Sequence, residues 1–192
     1  MIKKKIIAGV DEVGRGSWIG PVYSAAVILN EKINKNILKD SKKISYKNRL
    51  MLSNYIKANS FFAIAKASVK EIERKNILQA TLLSMKRAIK KLKKNPDLIL
   101  VDGNFVPKIN SMKIKSIIKG DETIPSISAA SIIAKVARDN YIKRLSKKFE
   151  KYSWDTNFGY GTKKHQAALK KFGVTTHHRK TYKPIHKILS KK

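Results

Sequence analysis

The chain has 192 residues, of which 42% are hydrophobic, and 43 lysine and arginine residues stand against only 13 aspartate and glutamate residues. This size and composition suit one globular domain with a sizeable core, and the formal net charge of +30 favours nucleic acid as the partner. The chain has no cysteine, which excludes disulfides, thiolate zinc sites and cysteine nucleophiles, and no apolar run is long enough to span a membrane.

Strands and helices are predicted in turn along the chain, with no linker or internal repeat. Strands are expected over residues 5–11, 22–29 and 61–69, and the short link between the first two predicts antiparallel pairing. A helix over 71–93, a strand over 97–101, a strand over 113–118 and a helix over 126–149 follow. Strand, helix and strand at this spacing predict a parallel crossover in a mixed sheet. Residues 151–182 suit a functional loop, a helix over 163–172 and an irregular basic tail.

The first chemical segment is an acidic pair followed by a glycine-rich turn. Asp11 and Glu12 end the first apolar run, and Gly14, Arg15 and Gly16 follow. The glycines permit a bend and the close approach of a ligand, and carboxylates at such a bend suit metal ions. A tight hairpin with solvated acids explains the same pattern. Neighbours on a regular strand point to opposite faces, so the two acids share a site only if the strand ends or bends there.

Two further acids follow later strands. Asp102 comes directly after the run 98–101, at the carboxyl edge where open α/β sheets bind ligands, and Asp121 comes soon after the next strand. A turn aspartate beside glycine is the competing explanation for each. Together, the acids predict a metal-assisted phosphate chemistry in a strongly basic protein.

The helix over 126–149 begins with small residues, which predict close packing under a sheet. Asp139 has Lys135 four residues before it and Lys143 four after, so a helix-surface ion pair is expected there. Tyr160, between two glycines, could stack on a sugar or base, or could plug the hydrophobic core. The four histidines lack metal-ligand spacing, and phosphate contact or simple exposure is expected for them.

These motifs, in their order, resemble the ribonuclease HII family over roughly residues 6–184. The resemblance rests on Asp-Glu-Val-Gly-Arg-Gly at 11–16 with Gly-Pro at 20–21, Asp-Ser-Lys-Lys at 40–43, Val-Asp-Gly at 101–103, Lys-Gly-Asp at 119–121, the helix over 128–139, Gly-Tyr-Gly-Thr at 159–162 and His-Arg at 178–179. Ribonuclease HIII is disfavoured, because it lacks the Gly-Arg-Gly form.

The resemblance implies a ribonuclease H-like α/β fold with a five-stranded mixed sheet flanked by helices. It also implies that Asp11, Glu12, Asp102 and Asp121 are the catalytic carboxylates and bind two divalent cations, Mg²⁺ or Mn²⁺, about 4 Å apart. Asp11 is the expected bridging ligand. Clustered carboxylates repel one another, which such cations would relieve.

The implied activity is an endoribonuclease that cuts on the 5′ side of a ribonucleotide and leaves a 5′-phosphate and a 3′-hydroxyl. The expected substrates are RNA/DNA hybrids and duplex DNA with embedded ribonucleotides. The protein is expected to be a monomer in the cytoplasm, without membrane association. A sliding-clamp partner cannot be read from the sequence. Substrate contacts are expected from residues that sense the ribose 2′-OH and residues that bind phosphates: Gly14, Arg15, Gly16 and Tyr160 for the first, and Lys42, Lys43, His178 and Arg179 for the second.

Four residues depart from the usual family pattern. Ser17 and Trp18 stand where Pro-Leu is common, and Tyr23 and Ser24 stand where small apolar residues are usual. They are expected to alter packing or substrate fit. Two alternative functions remain at this point: a ribosomal-type RNA-binding protein, which gives no reason for acids at strand ends, and a glycosidase, which needs two carboxyl groups facing each other across a sugar.

Overall fold

A single five-stranded sheet is the centre of the structure. The computed structural model describes residues 5–38 and 44–190. The strands in this part are β1 (Ile7–Val13), β2 (Val22–Leu29), β3 (Ser60–Ala67), β4 (Leu98–Asp102) and β5 (Ile114–Ile117). Their order across the sheet is β3-β2-β1-β4-β5. The predicted mixed sheet of five strands is confirmed.

Helices cover both faces of the sheet. The described ones are α1 (Tyr46–Ala58), α2 (Val69–Lys90), α3 (Gly120–Thr123), α4 (Pro125–Ser146), α5 (Trp154–Asn157), α6 (Lys163–Phe172) and α7 (Lys183–Leu189). In the described part of the chain, no helix is both long and apolar enough to cross a membrane.

The register of β1 places the two acidic strand ends side by side. β1 pairs antiparallel with β2, as predicted, and parallel with β4. The parallel ladder ends with Val10 opposite Val101, so Asp11 and Asp102 are the next residues on adjacent strands that run the same way. β4 is also parallel to β5, with Asp102 opposite Ile117. Three strand ends therefore meet at one edge of the sheet.

One face of the sheet is covered by α2 and the other by α4. Met85 and Ile89 of α2 pack with Val10 and Val101, whereas Ala129 and Ile133 of α4 belong to the cluster on the opposite face. The helix α2 begins after Ser68, which forms a capping box with Glu71, and therefore starts two residues before the predicted position. These two apolar layers hold β1 from both sides.

Several predicted boundaries are wrong, and two of them concern the site. β1 does not end at Asp11, because pairing with β2 continues through Glu12 to Val13. Asp102 is the last residue of β4, not the first residue after it. The tail is also not wholly irregular, since Pro184 lies in the first turn of α7.

Candidate active site

Asp11 is a buried carboxylate whose surroundings disfavour its negative charge. It is 5% exposed, and its Oδ1 accepts a hydrogen bond of 2.6 Å from the backbone N–H of Glu12. Burial raises the pKa of Asp11 well above its usual value, and the charges of Glu12 and Asp102 raise it further. A hydrogen bond from Ser131 of α4 acts in the opposite direction. The ionised form of Asp11 is therefore costly unless a cation lies close by.

Glu12 belongs to the same electrostatic group although it follows Asp11 on a continuous strand. Burial raises the pKa of Glu12, and the charge of Asp102 adds to the rise. Arg15 lowers it, since Arg15 Nη1 lies 3.3 Å from Glu12 Oε1. The two acids therefore interact electrostatically although β1 does not end at Asp11. It is the parallel pairing with β4 that stops before them.

Asp102 connects the end of β4 to the short helix α3. Its Oδ1 accepts hydrogen bonds from the backbone N–H groups of Gly120 at 2.7 Å and Asp121 at 3.4 Å. A carboxylate at the beginning of a helix is favoured by the unpaired N–H groups there. The contact brings the backbone of Asp121 beside Asp102, and the sequence alone could not separate Asp121 from an ordinary turn residue.

The chemistry of these carboxylates fits a divalent cation, although they are not gathered into a complete ligand cage. In residues 5–38 and 44–190, no three or more histidine, aspartate or glutamate side chains are grouped closely enough to hold a metal ion. Asp11 and Glu12 nevertheless have raised pKa values, and the charge of Asp102 raises both. Oxygen ligands that repel one another in this way are the ones that hard divalent cations stabilise.

The GRG turn, formed by Gly14, Arg15 and Gly16, lies beside the acids. Gly14 has φ +92°, and a Cβ there would lie 2.2 Å from Nε of Arg138. Glycine is therefore required at this position for two reasons. Gly16 is exposed, and a Cβ there would meet nothing within 4 Å. Packing therefore does not require glycine at position 16, and the open space beside it suits the close approach of a ligand.

Tyr160 lies close to the GRG turn because its two flanking glycines pack on the residues after that turn. A Cβ on Gly159 would lie 2.2 Å from Cγ1 of Ile19, and a Cβ on Gly161 would lie 2.1 Å from Cζ2 of Trp18. The backbone N–H of Trp18 donates to the Gly159 carbonyl at 2.9 Å. Two motifs at opposite ends of the sequence thus form one surface.

Arg138 of α4 joins these two segments from below. It is fully buried, and its Nη2 donates to Ser17 Oγ at 2.7 Å and to the Phe158 carbonyl at 3.1 Å. Its guanidinium carbon lies 5.4 Å from the centroid of the Tyr160 ring. The departure from the family pattern at Ser17 is therefore explained, because its hydroxyl accepts a hydrogen bond from Arg138.

The other departures from the family pattern also have packing partners. Trp18 lies against Gly161 and against the ring of His165, with 5.4 Å between ring centroids. Ser24 Oγ lies 2.5 Å from Ser84 Oγ of α2. Tyr23 packs on Tyr141 with a centroid distance of 6.0 Å. These contacts adjust how β2 and the turn pack on the helices.

The structure contradicts the predicted phosphate contacts of His178 and Arg179. Both side chains are fully buried, so neither presents a cation to a polyanion. His165 is also fully buried, which contradicts the expectation of phosphate contact or exposure for this histidine. Lys42 and Lys43 lie outside the described residues, and their phosphate contacts stay predictions.

Asp139 forms the expected ion pair but not at the expected place. Its Oδ1 lies 2.9 Å from Lys135 Nζ, which confirms the i, i+4 contact. Asp139 is only 2% exposed, so its predicted helix-surface position is wrong. Burial lowers the pKa of the neighbouring Arg138, and the charge of Asp139 acts in the opposite direction. Its position supports Arg138 electrostatically.

Ser131 and Arg138 are site residues that sequence reasoning missed. Ser131 hydrogen-bonds Asp11. Arg138 joins Ser17, directly after the GRG turn, to residues 158–161, which we call the tyrosine segment. Both lie on α4, where the small residues predicted only close packing. The sequence contained no local signal for either contact, because each one joins residues that are far apart in the chain.

Comparison with known proteins gives consistent relationships. The sequence profile described as Ribonuclease HII matches residues 8–188. The Ribonuclease HII of Pelagibacter ubique is 62% identical over 185 residues, which cover 96% of this chain and 100% of that protein.

Solved structures with this fold include two archaeal enzymes. The ribonuclease H2 of Pyrococcus horikoshii has a TM-score of 0.82 and 26% identity, with 96% of this chain and 97% of that chain covered. The RNase HII of Archaeoglobus fulgidus, in its complex with PCNA, has a TM-score of 0.78 and 27% identity, with 93% of this chain and 95% of that chain covered.

Proposed function

Because the chain belongs to the ribonuclease HII family and is an endoribonuclease of the ribonuclease H class, we propose that it cuts on the 5′ side of a ribonucleotide. The proposed products carry a 5′-phosphate and a 3′-hydroxyl. The substrates are the RNA strand of RNA/DNA hybrids and single ribonucleotides embedded in duplex DNA. The family assignment leaves no support for a ribosomal-type RNA-binding protein or a glycosidase.

The observation that carries this proposal is the position of the mutually repelling carboxylates beside the GRG turn. The charge of Asp102 raises the pKa of both Asp11 and Glu12, and Glu12 itself contacts Arg15 of the turn. A phosphodiester next to a ribose could therefore meet the carboxylates at its phosphate and the turn at its sugar. This arrangement favours hydrolysis at a ribonucleotide over simple binding.

The proposed metal ligands are the four acids at this edge of the sheet: Asp11, Glu12, Asp102 and Asp121. Mg²⁺ or Mn²⁺ bound there would supply an activated water and stabilise the leaving 3′ oxygen. Ser131 holds the Asp11 carboxylate, and the N–H groups of Gly120 and Asp121 hold Asp102. These hydrogen bonds fix two of the proposed ligands before any cation arrives.

The proposed sensor of the ribose 2′-OH is formed by the GRG turn and Tyr160. The 2′-OH is the group by which a protein distinguishes RNA from DNA at one position. Gly16 leaves space for the backbone of the turn to approach the 2′-OH, and the half-buried Tyr160 ring lies beside Arg138. Arg15 offers an exposed cation next to the same place.

Affinity for the duplex is proposed to come from the general basic surface. A net charge of +30 releases many counterions from a polyanion on contact. Lys42 and Lys43 stay candidates for specific phosphate contacts. We expect a monomer in the cytoplasm, and the archaeal complex with PCNA makes a sliding clamp a reasonable further partner to test.

The decisive experiment compares three duplexes of one sequence: all DNA, DNA with a single ribonucleotide, and a full RNA/DNA hybrid. We expect cleavage of the last two only, in Mg²⁺ or Mn²⁺, and mapping of the ends should place the cut 5′ to the ribonucleotide. Cleavage of the all-DNA duplex, or undiminished cleavage in excess EDTA, would contradict the proposal.

A further inference from the structure

His178 and Arg179 are two buried, neighbouring residues whose role in the site is not explained by substrate contact. Both are fully buried. A charged guanidinium is costly to bury, and Nη2 of Arg179 has no hydrogen-bond partner in the described part of the chain. Residues that are kept at such a cost are often found at functional sites.

The Arg179 side chain donates hydrogen bonds to one backbone carbonyl of the GRG turn and to another just after it. Its Nη1 donates to the Arg15 carbonyl at 2.8 Å and its Nε donates to the Gly20 carbonyl at 2.9 Å. The hydroxyl of Tyr182 donates to the same Arg15 carbonyl at 2.5 Å and accepts from Arg179 Nη1 at 2.8 Å. The Arg15 carbonyl thus has two donors, one of them charged. Such bonds are stronger than those between neutral groups.

His178 reaches the tyrosine segment through His165, and the hydrogen bonds determine both tautomers. The backbone N–H of Thr175 donates to His178 Nδ1 at 2.9 Å, so a neutral His178 carries its proton on Nε2. That nitrogen lies 3.1 Å from His165 Nε2, which also accepts from Trp154 Nε1 at 3.0 Å. His165 therefore carries its proton on Nδ1 and donates it to the Tyr160 carbonyl at 3.0 Å.

Both histidines are neutral in this arrangement, which the environment supports. Burial is the main cause that lowers the pKa of His178, to about 3, and burial also lowers the pKa of His165. The main chain of the same segment is paired with the residues after the GRG turn: Arg179 N–H donates to the Trp18 carbonyl at 2.8 Å. The backbone that carries His178 and Arg179 is therefore attached to the residues that follow the GRG turn.

We propose that His178 and Arg179 form a two-armed positioning element, in which Arg179 holds the GRG turn and His178 holds Tyr160 through His165. The element sets the distance between the two halves of the proposed 2′-OH sensor. This inference rests on the proposed function of that sensor, and it replaces the expected phosphate contacts with a role in ribonucleotide discrimination.

The test measures binding as well as cleavage. The dissociation constants of an all-DNA duplex and of the same duplex with one ribonucleotide are measured with Ca²⁺ in place of Mg²⁺, and their ratio reports discrimination. We expect Arg179→Lys and His165→Leu each to lower this ratio about tenfold, while the affinity for all-DNA duplex changes less than about twofold. The conservative His165→Asn, which keeps an N–H donor near the Tyr160 carbonyl, should restore most of the ratio.

Matched controls separate positioning from general damage. Arg87→Lys changes an arginine of α2 that hydrogen-bonds Glu71 of the same helix and the Lys66 carbonyl of β3. His186→Gln changes an exposed histidine on α7. Both should leave the ratio unchanged. If Arg179→Lys does not fold, Tyr182→Phe removes one of the two donors to the Arg15 carbonyl in a milder way and should lower the ratio in the same direction.

The outcomes distinguish this inference from the proposed function beneath it. A wild-type protein that binds both duplexes equally would remove the sensor itself. If the wild type discriminates and Tyr160→Ala loses discrimination, but folded Arg179→Lys, Tyr182→Phe and His165→Leu all keep the wild-type ratio, the positioning role is wrong and the sensor stands.

Discussion

Gly9 of β1 lies directly against the backbone of Ser126 in α4: a Cβ on Gly9 would be 2.1 Å from the Ser126 carbonyl carbon. No real Cβ comes so close to a backbone atom, so only glycine allows α4 to pack at this distance. The close packing places α4 beneath the end of β1, where Ser131 reaches Asp11. The position of a proposed catalytic carboxylate thus depends on a missing side chain two residues before it.

We expect Gly9→Ala to destabilise the protein by about 3 kcal/mol or more, because backbone cannot move aside as a side chain can. Gly16→Ala is the matched control, since a Cβ there meets nothing within 4 Å. Urea denaturation should show a large loss for the first variant and a change within about 0.5 kcal/mol for the second. Equal stability of the two variants would contradict the packing argument.

Asp11→Asn should abolish cleavage and leave the fold intact. The asparagine Oδ1 can still accept the N–H of Glu12, and the change removes a buried charge that Glu12 and Asp102 repel. We therefore expect a melting temperature equal to or above that of the wild type, measured without metal. Asp102→Asn should lose cleavage as well. Full activity in either folded variant would overturn the carboxylate assignment.

Divalent cations should stabilise the wild type and not Asp11→Asn. A ligand that binds only the folded state stabilises it by mass action, by about 2.7 kcal/mol at a hundred times the dissociation constant. The measurement is a thermal melt with increasing Mn²⁺ or Mg²⁺, with Asp155→Asn as a control for weak surface binding. An equal shift in the wild type and Asp11→Asn would place the cation elsewhere.

Tyr160→Ala should weaken discrimination for the ribonucleotide more than it weakens binding to DNA. Loss of a stacking ring costs about 1–3 kcal/mol, so we expect a fall in discrimination of about tenfold or more. Tyr160→Phe keeps the ring and removes the hydroxyl, and its result separates the two contributions. Unchanged preference at the DNA–RNA junction in Tyr160→Ala would remove this residue from the sensor.

The stability of the protein should decrease as the pH is lowered, because of the buried histidines. Burial lowers the pKa of His178 to about 3, against 6.5 for an exposed histidine, so below pH 6.5 the unfolded chain binds a proton that the folded chain does not. The stability contributed by the neutral His178 is therefore complete above pH 6.5 and is lost progressively as the pH falls towards 3. Between pH 7 and pH 5 we expect a loss of about 2 kcal/mol from this residue.

Urea denaturation at several pH values tests this dependence. His165 and His177 also have pKa values lowered by burial and add to the loss with the same sign. The variant His178→Gln removes one titrating group, so its stability should depend less steeply on pH than that of the wild type. Parallel pH profiles of the wild type and the variant would show that His178 does not remain neutral in the folded state.

Much of the fold could be predicted from local patterns. The strand over residues 22–29 and the helix over 163–172 have the predicted bounds, because alternation and helical spacing are properties of neighbouring residues. The predicted start of α2 differs from the observed one by two residues, because Ser68 and Glu71 cap the helix before the apolar pattern begins. The continuation of β1 to Val13 came from pairing with β2, which overrides the glycine-rich signal that follows.

The sequence alone determined the mixed α/β sheet, the acids at the strand ends and the family motifs that combine them. These features depend on residue type, spacing and order along the chain. Only the tertiary structure decided which polar residues are exposed beside the proposed site and which are buried beneath it. His178 and Arg179 look like phosphate ligands in a basic sequence, yet both are buried and bind carbonyl and imidazole groups. Burial and hydrogen bonding between distant segments are produced by packing, and no local pattern of charges records them.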